Sequence, residues 1–338
     1  MRGGCEIGDK DVKGVILDRG GRFFSLFLGD LNVFWTNPNL RRYGDFDEWN
    51  IGGERTWIAP ERAFFYKNPS EFQGWHCQEG LDPDSYRIEK CSSKNVVLKG
   101  KITIKNYETG EILDGDIIRE IKLRDTRITG DYTYAHFGII SELRARDVSN
   151  NFALWDILQV PIGSARRGYV IIPTKPDAKP IHYFDPIPPD RIQQYSDNVR
   201  FIIDGEQELK IGIAPEDLKD SKLAQIAYFY RAGEDTIALL MTSPTAPQNQ
   251  EECMDPPRSD PNGRRGAVQA YNSDVKKSGL QFGEIEIQGA QATRYPDNRV
   301  RAQHIINLRA IRGDYNSVIG MISKFIKFSG PPLIFRQR

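Results

Sequence analysis

Gly52-Gly53-Glu54-Arg55-Thr56-Trp57-Ile58-Ala59-Pro60-Glu61, preceded by Trp49-Asn50-Ile51, gathers a glycine pair, two carboxylates, a guanidinium and flat apolar rings into one short stretch. Paired glycines let a backbone bend or approach a ligand closely. Arg55 is a bidentate donor and Glu54 and Glu61 are acceptors, while Trp49 and Trp57 supply planar apolar surface. Carbohydrates offer hydroxyl pairs to planar polar groups and C–H faces to aromatic rings, so the mixture suits a sugar. The same residues also fit a second arrangement, in which Arg55 is buried against Glu54 or Glu61 and the tryptophans fill the core.

Outward from this stretch, the 338 residues are 39% hydrophobic, 11% aromatic and 27% charged, which describes a globular chain with enough apolar surface for a core. The 46 basic residues balance 46 acidic ones, so no overall field selects nucleic acid or an anionic membrane. The expected partner is a neutral or small molecule. Cys5, Cys77, Cys91 and Cys253 have neither the density of a disulfide framework nor the spacing of a zinc site, and reduced thiols are the expectation. Met1 to Glu6 lacks the apolar run of a signal peptide, and no long apolar stretch suggests a membrane helix, which together predict a cytoplasmic protein.

Short apolar or alternating runs separated by Gly, Asn, Asp and Pro clusters recur from end to end, the rhythm of an all-β sandwich or barrel. Strands are expected at 14–18, 23–28, 96–98, 101–105, 116–123, 132–144 and 152–160. Others follow at 169–173, 199–203, 208–213, 223–230, 236–242, 267–271, 282–288 and 303–308. Ile102, Ile104, Ile117 and Ile121 carry the half-buried pattern of a meander. Asp314 caps one expected helix, with Tyr315, Val318, Ile319, Ile322 and Phe325 on one face, and Gly330-Pro331-Pro332 stops it. The proline-rich stretches 172–189 and 244–261 read as long surface loops of one domain covering 1–338.

Gly21 to Leu26, Leu31 to Pro38, the Gly-Gly-Glu-Arg-Thr-Trp run, Asp147 to Asp156 and Phe282 to Gly289 together resemble aldose 1-epimerase-like proteins of the galactose mutarotase-like superfamily. The resemblance implies an antiparallel β supersandwich with a sugar in a concave cleft. It places Arg55 as a sugar-binding arginine and Glu286 as the base that takes the anomeric hydroxyl proton, with an acid, generally His, needed to protonate the ring oxygen. The chain departs from the family where that His follows an Asn-rich turn: Asn150-Asn151 leads into Ala153-Leu154-Trp155-Asp156. Asp156 or His136 is then the candidate acid, the former only if burial raises its pKa. Glu54, Trp57, His76, Asn151, Trp155, Glu284 and Arg264 complete the candidate substrate contacts. Glu284 and Glu286 project from one strand face, whereas His182 and His304 read as structural.

Asp255, Asp260 and Asn262 lack the dense spacing and distal Glu of a calcium loop, and no metal or cofactor is expected. No nucleophile elbow, phosphate loop, dinucleotide fingerprint or zinc-protease motif is present. The expected activity is aldose 1-epimerase-like isomerisation. Two alternatives stand beside it: a glycosidase or lyase using Glu284 and Glu286 with Glu54 or Glu61, and a carbohydrate-binding protein without turnover.

Overall fold

A computed structural model describes residues 3–40, 49–83 and 86–335. Period-two burial builds two large antiparallel sheets that pack face to face. In the first sheet the central strands run Phe23–Leu28, Glu54–Ala59, Ala153–Val160, Gly283–Gln288, Val268–Asp274 and Glu206–Ile213. In the second they run Gly168–Pro173, Ala224–Ala232, Asp235–Ser243, Arg299–Gly313, Tyr132–Arg146, Ile112–Ile128 and Asn95–Lys105. The opening stretch is thus itself a central strand, which the pass for alternating runs does not mark.

Leu26, Ile58, Leu154 and Ile285 from the first sheet meet Phe137, Ile139, Leu239 and Leu308 from the second in one shared core. The expected all-β antiparallel sandwich with a C-terminal helix is what the chain forms. Asp314 caps the helix Tyr315–Ile322 by accepting from Asn316 N at 3.0 Å and Ser317 N at 3.1 Å. Its Val318, Met321 and Ile322 cover Tyr134, Phe229 and Leu240 on the outer face of the second sheet. Loop 244–261 carries no strand, whereas 172–189 holds the short strand Ile181–His182. Among the described residues no helix is long and apolar enough to cross a membrane.

The reduced-thiol expectation is corrected for one pair. Cys5 and Cys91 are disulfide-bonded across 86 residues of sequence, while Cys77 and Cys253 are free. Sequence spacing is silent here because Gly4–Gly8 and Arg87–Cys91 are the edge strands of different sheets, brought together only by their packing. Disulfides persist in oxidising compartments, which sets this bond against the cytoplasmic expectation. Closing a loop with a separation of 86 residues removes about 4 to 5 kcal/mol of denatured-state entropy in the chain-entropy account. Cys5→Ser is therefore expected to lower the urea midpoint, and reductant is expected to lower the wild-type midpoint to match.

Candidate functional site

Alternation sends Arg55 and Trp57, Trp155 and Gln159, Glu284 and Glu286, Tyr271, and Lys210 to the outer face of the first sheet. Trp57 stands opposite Trp155, Gln159 opposite Glu284, Glu284 opposite Tyr271, and Tyr271 opposite Lys210. The helix Glu61–Phe65 and the hairpin of Tyr66–Asn68 and Gln73–Trp75 rise beside this face and enclose a cleft of about 500 Å³. A larger hollow of about 720 Å³ on the second sheet is lined by charged strand residues such as Arg144, Arg299 and Asp116. None of the residues lining that hollow holds a buried polar side-chain atom without a partner.

Arg55 lies over the Trp57 ring at 4.0 Å and its Nη2 donates to Glu284 Oε1 at 2.8 Å. Its Nε and Nη1 are buried and have no partner. Trp155 Nε1 is in the same state. A buried donor left unmade costs about 1 to 3 kcal/mol, so three of them beside one cleft mark places where a ligand's oxygens would be accepted. Gln159 Nε2 donates to the same Glu284 Oε1 at 3.1 Å and to Asn50 Oδ1 at 2.8 Å, giving that oxygen a second donor.

Behind the cleft, buried Arg22 donates to Gly52 O at 2.9 Å and also bonds the Asp82 carboxylate and the Trp49 carbonyl. Asp82 in turn accepts from Trp57 Nε1 at 2.9 Å, so one buried ion pair sets both tryptophans. Burial brings the Arg22 pKa down to about 10. The glycine pair approaches neighbouring backbone rather than a ligand: a Cβ on Gly52 would lie 2.4 Å from Trp35 O, and one on Gly53 2.5 Å from Phe23 O.

Lys210 forms the other pole of the cleft. Its Nζ lies 4.4 Å from the Trp155 ring centroid, 3.1 Å from Glu286 Oε2 and 3.9 Å from Glu61 Oε2. Burial disfavours the ammonium, but Glu286, Glu61 and Asp255 outweigh that and raise the Lys210 pKa. Glu61 accepts from Trp75 Nε1 at 2.8 Å, and burial raises its pKa against the pull of Lys210. Glu286 is wholly buried and lies with Lys210 rather than lining the cleft.

Burial lifts Glu286 from 4.5 to about 8. A folded-state pKa above the unfolded one contributes stability that is complete below about 4.5 and is lost as pH climbs through about 8. The unfolding midpoint of Glu286→Gln, measured against wild type, is therefore expected to move in the variant's favour as pH rises from about 6 to about 9.

Of the residues singled out from the sequence, Arg55, Trp57, Trp155 and Glu284 meet in the cleft. Glu54 and Asp156 do not, because each is one residue out of phase with a cleft residue and points between the sheets. There Arg119 Nη2 donates to both Glu54 oxygens at 2.7 and 2.9 Å. Asp156 Oδ2 lies 2.6 Å from His304 Nδ1, and His304 Nε2 lies 3.0 Å from Ser243 Oγ. This Ser–His–Asp line is buried throughout, with no opening for a substrate. Burial raises the Asp156 pKa, but His304 and Arg119 outweigh it and hold the group below the usual range, the reverse of what a protonated acid needs.

His136 is half-buried on the outer face of the second sheet, 3.1 Å from Asn307 Oδ1, with its pKa lowered by burial and by Arg309. It shares no cleft with Glu286. His76 turns its ring to Tyr107, with Nε2 3.1 Å from the hydroxyl. Asn151 is exposed and accepts from Gln291, and Arg264 is held by Glu216 at 2.9 Å and Asp217 at 2.8 Å on a surface turn. Sequence reasoning passed over Lys210, Trp75, Tyr271 and Gln159. Lys210 carried a usable signal, since a lysine between Leu209 and Ile211 in an apolar strand is buried only when paired.

Residues 35–136 match the model of a family of unknown function (DUF6786). A search of curated proteins returns no match. Among solved structures, the chain is similar to a protein from Escherichia coli K12 provisionally described as an aldose 1-epimerase, at 11% identity and a TM-score of 0.49, covering 91% of this chain and 98% of that one. It is also similar to galactose 1-epimerase from Lactobacillus acidophilus NCFM, at 11% identity and a TM-score of 0.48, covering 92% and 95%. A third likeness is to a GalM/aldose epimerase homologue from C. elegans, at 10% identity and a TM-score of 0.41, covering 92% and 99%.

Proposed function

We propose that residues 1–338 form one carbohydrate-active domain whose cleft on the first sheet binds a sugar and moves protons at its anomeric centre. The observation that carries this reading is the Arg55–Glu284 pair stacked on Trp57, with Arg55 Nε, Arg55 Nη1 and Trp155 Nε1 buried and unpartnered beside it. Planar donors and carboxylates suit vicinal hydroxyls, and the tryptophan faces suit the C–H side of a pyranose.

In this proposal Glu284, fixed by Arg55 and Gln159, is the base in place of Glu286, which is buried beside Lys210. Glu61, whose raised pKa favours the protonated form, is the acid in place of His136 or Asp156. The base takes the anomeric hydroxyl proton while the acid protonates the ring oxygen; the ring C–O bond opens, and closure on the other face gives the opposite anomer. A second reading draws on the same pair. Glu61 and Glu284 come from different elements and both line the cleft, and a glycoside hydrolase works with two carboxyl groups flanking the scissile bond.

Polarimetry on freshly dissolved aldoses, run beside an assay for newly released reducing ends, tests both. Acceleration by wild type and its loss in Glu284→Gln supports turnover, with the responding assay naming the reaction. Binding without acceleration in either assay would leave a carbohydrate-binding protein and end the enzymatic reading.

A further inference from the structure

We infer that the cleft is built for a saccharide of at least two linked rings rather than for a single sugar. The inference rests on the carbohydrate reading and extends it to substrate length. Five neighbouring strands contribute to the floor in the order Glu54–Ala59, Ala153–Val160, Gly283–Gln288, Val268–Asp274 and Glu206–Ile213. Neighbouring strands lie about 4.8 Å apart, so the floor from Trp57 to Glu208 spans roughly 19 Å. A pyranose ring covers little more than one such interval. The volume agrees: about 500 Å³ is the share of roughly 17 water molecules at about 30 Å³ each, more than the heavy atoms of one hexose displace.

Recognition groups are also duplicated along that span. The inner end has Trp57 and Trp155 with the Arg55–Glu284 pair. The outer end has Phe184 and Tyr271, with ring centroids 6.3 Å apart, beside Glu208 and the exposed Arg258. Glu208 and Lys210 of one strand both line the cleft, which carries the polar row past the inner site. A ring seated on Trp57 lies three strand intervals, roughly 14 Å, from the strand of Tyr271, more than one ring spans. A chain of two or more rings can, its first ring on the inner tryptophans and its second against Phe184 and Tyr271.

The test is calorimetric titration of the full chain with one-, two- and three-ring members of glucan, galactan and mannan series. In whichever series binds, the second ring is expected to tighten binding about tenfold or more, and in Phe184→Ala the two-ring to one-ring affinity ratio is expected to fall toward one. Arg258→Ala provides a second, surface-exposed variant with the same expectation of a reduced ratio. Equal affinity for one and two rings in wild type would overturn the inference while leaving sugar binding intact. Failure of every member to bind would overturn the carbohydrate reading and this inference with it.

Discussion

Arg119→Met is expected to cost about 3 to 5 kcal/mol of folding stability. Arg119 and Glu54 are both fully buried between the sheets, and one guanidinium nitrogen, Nη2, donates to both oxygens of that carboxylate. Arg119 Nε also donates to Ser141 Oγ at 3.1 Å, and Nη2 lies 3.6 Å from Asp156 Oδ1. Removing the cation strips Glu54 of its guanidinium and leaves it buried beside Asp156, which keeps His304 and Thr56 as partners. Replacing both partners by apolar groups costs less than stranding one. Urea denaturation of Arg119→Met, Glu54→Leu and the double variant checks this: the double variant is expected to lose less than the sum of the singles, and strict additivity would contradict the coupling.

Arg55→Met is expected to weaken saccharide binding by about 10- to 100-fold, with Arg55→Lys recovering only part of it. Hydrogen bonds to a charged group contribute about 1.5 to 3 kcal/mol, and Arg55 offers two buried donors that have no partner within the protein. A lysine restores the charge but neither the planar fork nor the stacking on Trp57. Titration calorimetry reads the affinities, with thermal unfolding run in parallel to separate a binding loss from a folding loss. Full affinity in Arg55→Met would remove Arg55 from the site.

The strand rhythm told most of the fold because burial with period two is written directly in the residue order, as at Ile117 and Ile121, both fully buried. The same rule, applied residue by residue, would have divided Arg55 and Trp57 from Glu54 and Thr56, and Trp155 from Asp156. Grouping Glu54 with Arg55 in one site ignored it. What no local pattern carries is which sheet a strand joins. His136 and Glu286 lie on strands of different sheets, and Cys5 meets Cys91 only because two sheet edges pack together. Lys210 stood in plain view, but its meaning depends on Glu286 and Glu61, which reach it from distant parts of the chain.

The most direct test of the cleft is the indole N–H spectrum of the ¹⁵N-labelled protein, which has five tryptophans. The Trp155 Nε1–H is buried at the cleft and has no acceptor, whereas Trp57 donates to Asp82 and Trp75 to Glu61. Titration with the saccharide series, with the Trp155 signal assigned through Trp155→Phe, is expected to move that resonance saturably as a sugar oxygen accepts from it. An indole spectrum that stays unchanged with every saccharide would contradict a carbohydrate site in this cleft.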